Sequence, residues 1–142
     1  MEFIEKINEK LENLKKYLDF LKSNADIEKE TLEDNYTLRS AIERNFQLAI
    51  ESILDIGEII ISEENLKKPE EYRDIIETLG KNSILPTKFA KKFAPVAGFR
   101  NILVHRYNDI DVDELHEHLK KDLADFDIFI ANVIGYIKQK QH

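Results

Sequence analysis

Apolar residues recur along this chain at alternating spacings of three and four, the pattern of helices that bury one face. In the first stretch Ile4, Ile7, Leu11, Leu14, Leu18 and Leu21 form a single stripe, which predicts a helix from Phe3 to about Lys22. Ser23-Asn24-Ala25-Asp26 supplies stop and cap residues, so a loop is expected there, followed at most by one helical turn. A longer helix is expected from about Asp34 to Ser62. In it Leu38, Ile42, Phe46, Ala49, Ile53 and Ile60 make one stripe, while Ala41, Leu48, Ile50 and Leu54 spread around the cylinder and mark it as central. Its polar residues Arg39, Glu43, Arg44, Gln47 and Asp55 need solvent or partners, because unpaired buried charge is costly.

Tyr72, Ile75, Ile76 and Leu79 predict a short helix ending at Gly80, a residue suited to the left-handed position past a helix end. Pro86 opens a helical piece to about Phe93. Pro95 lacks the amide proton of a continuous helix, so a break and a restart running to about His105 are expected. Asn108 to Asp111 reads as a loop. Leu115, Leu119, Leu123, Phe126, Ile130, Val133 and Ile137 then form the stripe of a last helix from about Val112 to Lys140. No segment reads better as a strand. The expectation is an all-α, up-and-down bundle of three long helices and two or three short ones, in a single domain over residues 1–142.

Composition narrows the chemistry. Of 142 residues 42 % are hydrophobic and 35 % charged, which is globular rather than disordered composition. The absence of cysteine excludes a disulfide framework, a thiolate zinc site and thiol catalysis. Four glycines form no Gly-rich phosphate loop, so neither a dinucleotide-binding turn nor a P-loop is expected, and no cofactor. No apolar run approaches the ~18 residues of a membrane span, and MEFIEKINEK is acidic rather than a signal peptide. A cytoplasmic protein without a membrane partner is expected. Glu114, His116 and His118 raise the question of a metal site, but residues two apart on a helix point apart, so surface placement and no metal are expected.

The formal charge is −7, yet it is unevenly spread. Between Glu77 and Asp109 there is no acidic residue, while Lys81, Lys88, Lys91, Lys92, Arg100 and Arg106 give +6 locally. Such a region holds a phosphate backbone even when the whole protein repels nucleic acid at a distance. It equally fits a solvated face or an acidic partner.

Inside it stands Gly98-Phe99-Arg100-Asn101-Ile102-Leu103-Val104-His105-Arg106-Tyr107. A guanidinium holds a phosphate bidentately, an imidazole moves protons near neutral pH, an amide orients either group, and a phenol offers a stacking face and a hydroxyl. Together these are tools for phosphodiester chemistry. Arg100 and Tyr107 lie two turns apart on one face, but Arg100 and His105 are about 140° apart on an ideal helix. They converge only if the helix ends near His105 or a second subunit completes the site. Structural roles are open too, with His105 at a helix end, Arg100 paired to Glu43 or Asp55, and Tyr107 in packing.

Arg100, four residues, His105, one residue and Tyr107, embedded in GFRNILVHRY, resemble the signature of the HEPN superfamily, and in particular its HepT-like ribonuclease toxins. The likeness extends to Arg39, Glu43-Arg44, Gln47 and Asp55-Ile56, to PEEYRDIIETLG, to LPTKFAKKFAPVAGFRN and to Ile110-Asp111. It covers most of the chain. The resemblance implies a helical toxin that dimerises around two copies of the motif and cuts RNA without a metal. Arg100 and His105 would be the catalytic pair with Asn101 in support, and Lys88, Lys91, Lys92 and Arg106 would form an RNA-binding patch. It further implies an MntA-like nucleotidyltransferase antitoxin that places AMP on Tyr107. The competing expectation is a non-catalytic binding subunit of such a nucleotidyltransferase, in which Tyr107 is an acceptor or interface residue.

Overall fold

The computed structural model describes residues 1–105 and 110–142. They form eight helices and no strand: α1 (Glu2–Ser23), α2 (Lys29–Asp34), α3 (Tyr36–Glu63), α4 (Tyr72–Lys81), α5 (Thr87–Phe93), α6 (Val96–His105), α7 (Val112–Lys121) and α8 (Leu123–Lys140). None of them is long and apolar enough to cross a membrane. The three long helices, α1, α3 and α8, are those the periodicity predicts, and the turn expected after the first loop is α2. Its cap is Glu28 rather than Asp26. Asn35 opens α3, its side chain accepting a hydrogen bond from the Leu38 amide at 3.0 Å.

α3 is the hub, packed against α1, α2, α4 and α6. The predicted stripe of α1 is buried in full. Lys10–Asp55 at 3.2 Å joins α1 to α3, and Lys22–Asp127 at 2.8 Å joins α1 to α8. Both pairs are well exposed, so they set register more than stability. The short helices are held by aromatic rings. Phe46 of α3 meets Phe99 of α6 edge-on at 5.5 Å and Phe126 of α8 at 6.3 Å, while Phe93 of α5 lies 5.6 Å from Phe126 and 5.9 Å from Phe129. Edge-to-face rings at these separations add to their area burial.

Two expectations are corrected. Gly80 lies inside α4 and is buried, without the left-handed backbone predicted for it; Ser83, at φ 61°, takes that conformation instead. Gly80 is needed for approach, because a Cβ there would collide with the Ala90 Cβ of α5. The last predicted helix is two helices, separated at Asp122. Asp122 keeps right-handed helical angles (φ −88°, ψ −21°), so the apolar stripe runs through the junction and periodicity does not register it. The short helices accordingly number five among the described residues.

Candidate functional site

Helix α6 starts directly after Pro95, where the restart is predicted, and is described as far as His105. Phe99 and Leu103 bury one side of it, leaving Asn101 and His105 exposed and Arg100 partly so. Arg100 and His105 both line one open groove of about 1110 Å³ together with Asn101 and Val104. Gly98 is in the same wall, and the opposite wall comes from the α3–α4 connection and the start of α4, with Lys68, Glu70, Tyr72 and Arg73.

Arg100 is the most constrained of these side chains. It is 18 % exposed, and its guanidinium contacts three groups: Glu51 of α3 at 3.8 Å, Asn101 Oδ1, to which Nη1 donates at 3.2 Å, and the Tyr72 ring, whose centroid lies 4.9 Å away. The predicted acidic partners, Glu43 and Asp55, are not its neighbours. Asp55 pairs with Lys10. Glu43 has its carboxyl pushed up by burial, against the opposing charge of Arg39. Glu51 lies between them on the same helix face, since 43, 47, 51 and 55 follow at four-residue steps.

Of the described cationic interval, only Arg100 lines the groove. Lys88, Lys91 and Lys92 do not line the groove, and Lys92 pairs with the mostly buried carboxylate of Asp125 at 3.3 Å. The groove walls carry Lys68, Arg73 and Arg100 against Glu58, Glu70 and Glu71, so the described part of one chain is balanced rather than cationic, His105 aside. Arg106 and Tyr107, the remaining candidates, lie outside the described residues. Glu51, Lys68, Tyr72 and Arg73 have no counterpart among the sequence candidates. They come from α3, α4 and their connection; Tyr72 and Arg73 fall in the PEEYRDIIETLG likeness without a role there, and Tyr72 reads as part of a buried stripe but is 44 % exposed.

Behind the groove, His118 of α7 stacks on Phe99 with ring centroids 3.8 Å apart. Its Nδ1 is hydrogen-bonded to Asp122 and its Nε2 lies 3.7 Å from Glu114, while His116 Nε2 is 3.0 Å from the Ile27 carbonyl oxygen. Neither imidazole is the simple surface residue expected, because α7 packs on α2 and the junction with α8 folds over His118. Among the described residues no three potential ligands converge on a metal position. Burial disfavours the charged form of His118, but the hydrogen bond and charge of Asp122, with Glu114, outweigh it, and its pKa is raised above the ordinary 6.5. A raised folded-state pKa stabilises the protein fully below the unfolded value and loses that contribution as pH rises through the folded value. Wild-type Tm is therefore expected to fall relative to that of His118→Gln as pH is raised from 6.5; parallel Tm curves for the two proteins would show that folding does not raise the pKa of the ring.

Arginine, asparagine and histidine from one short helix of an all-helical bundle thus line a common groove. The chain belongs to the family described as Ribonuclease HepT-like, whose model matches residues 7–133. It is similar to the tRNA nuclease HepT of Aphanizomenon flos-aquae (strain 2012/KM1/D3), with 32 % identity over 134 residues, 92 % of this chain and 89 % of the relative. It is 28 % identical over 96 residues to the mRNA nuclease HepT of Shewanella oneidensis, covering 68 % of this chain and 72 % of the relative. Its fold is like that of a tri-AMPylated Shewanella oneidensis HEPN toxin solved in complex with MNT antitoxin, with a TM-score of 0.82, 23 % identity and coverage of 91 % and 96 % of the two chains.

Proposed function

We propose that this chain is the toxin of a toxin–antitoxin module, a cytoplasmic homodimeric endoribonuclease that cuts RNA without a metal and is silenced by a nucleotidyltransferase antitoxin through AMP on Tyr107. The observation that carries the reading is the placement of Arg100, Asn101 and His105 on one groove. In the reaction His105 takes the proton of a ribose 2′-OH as that oxygen attacks the adjacent phosphorus. Arg100 holds the non-bridging oxygens as charge builds on them. The bond to the 5′-oxygen breaks, that oxygen gains a proton, and the products are a 2′,3′-cyclic phosphate and a 5′-hydroxyl. Asn101 accepts from Arg100 and so fixes the guanidinium.

Dimerisation around the motif is supported by Gly98. A helical glycine costs roughly 0.5–1 kcal/mol against alanine, and a Cβ at Gly98 would meet nothing within 4 Å among the described residues. Gly98 and His105 are seven residues apart and share a helix face, so the face beside His105 has room for close approach of a second chain. A partner copy would also add a second Arg100 to a groove that one chain leaves balanced in charge. Two relatives bear the names tRNA and mRNA nuclease, and one structural neighbour is AMPylated and bound to an antitoxin. AMP on Tyr107 would add bulk and negative charge to the motif that carries the phosphate-binding arginine, which opposes RNA binding.

Purified protein incubated with cellular RNA in EDTA is expected to fragment it. Intact RNA beside protein that circular dichroism shows to be folded and helical would favour a non-catalytic binding subunit of the nucleotidyltransferase instead.

A further inference from the structure

The groove contains an aromatic side chain that the cleavage chemistry does not use. Tyr72 is the first residue of α4, and 44 % of it is exposed, against complete or near-complete burial of Ile75, Ile76 and Leu79 in the same helix. Arg100 lies against the ring at 4.9 Å. The molecule has a second exposed Arg–Tyr pair, Arg39 over Tyr36 at 5.7 Å, so such pairing alone is no sign of a site. What sets Tyr72 apart is that it lines the same groove as Asn101 and His105, together with Lys68 and Arg73. Base–aromatic stacking tolerates any sequence because every base has a π-face, and flanking cations track the backbone.

We propose that Tyr72 is the base-stacking platform of the groove, receiving the nucleobase next to the phosphate that Arg100 holds. This rests on the ribonuclease reading above. The guanidinium lies against the ring itself, so a phosphate bound to it brings the neighbouring nucleotide, rather than a distant one, within reach of the ring. Tyr72 then acts in binding and Arg100 in phosphate charge stabilisation, with the two side chains holding each other in place.

The chain contains no tryptophan, so Tyr72→Trp creates a single fluorescent reporter at the position in question. In the His105→Ala background, which keeps RNA intact, titration with single-stranded oligoadenylate should quench that tryptophan saturably. The midpoint should equal the one given by anisotropy of the same labelled oligonucleotide. Tyr36→Trp in the same background should remain unquenched. In the cleaving protein Tyr72→Ala should raise KM by roughly 5- to 150-fold, the range of stacking losses on alanine substitution, and by more than kcat falls; Tyr72→Phe should recover the affinity that alanine loses. RNA that binds by anisotropy while the tryptophan at position 72 stays silent would overturn the proposal and leave the ribonuclease reading intact. So would a Tyr72→Ala effect on kcat alone, which would make the ring only a support for Arg100. Failure of wild-type protein to cleave RNA while position 72 is quenched would instead overturn the ribonuclease reading and keep the platform.

Discussion

His105→Ala is expected to lower the rate of RNA cleavage by about 10²–10⁴-fold, the usual contribution of a positioned general acid–base group. The residue is exposed at the last position of α6, so its removal creates no cavity in the core. Exposed substitutions of this kind change stability by about 0.5 kcal/mol or less, and the circular dichroism spectrum and Tm should match those of wild type. The combination matters, because loss of activity with an unchanged fold separates a chemical role from a structural one. The readout is the single-turnover rate on a labelled oligoribonucleotide. A variant that cleaves at the wild-type rate removes His105 from the mechanism.

Phe46→Ala is expected to have the largest effect on stability, about 3–5 kcal/mol. Phe46 is fully buried on the central helix, and its ring meets both Phe99 and Phe126. Against a typical total of about 5–15 kcal/mol this is a large fraction, and at about 2–4 °C per kcal/mol for a chain of this size it lowers Tm by roughly 10 °C. Phe99 is the immediate neighbour of Arg100, so the loss also loosens the helix that carries the site. Cleavage should therefore fail at a lower temperature in the variant, in step with its own melting curve. Thermal melts followed by circular dichroism beside activity at each temperature check both statements.

Much of this architecture is legible in the sequence because helices that bury one face write that face as a period. The stripes of α1 and α3 and the break at Pro95 all follow from spacing and from proline chemistry. What was illegible depends on contacts between helices. Gly80 looks like a helix stop, yet its role is set by Ala90 on a helix that follows later in the chain. The junction at Asp122 leaves the stripe in phase because the backbone there remains right-handed. Within the site, the close spacing of Arg100, Asn101 and His105 made them readable. Glu51 and Tyr72 reach Arg100 only through packing of α3 and α4. Charge along the sequence does not say which surface it reaches, since folding takes Lys92 to Asp125 and leaves Lys88 and Lys91 out of the groove walls.

The most direct measurement of the central claim uses one oligonucleotide made entirely of deoxyribose except for a single ribose, beside its all-deoxy twin, both incubated with purified protein in EDTA. Attack by a 2′-OH, driven by His105 and Arg100 without a metal, predicts one cut immediately 3′ to the ribose, a 2′,3′-cyclic phosphate on the upstream fragment and an intact all-deoxy strand. Equal cleavage of both strands, or cleavage that EDTA abolishes, would contradict it.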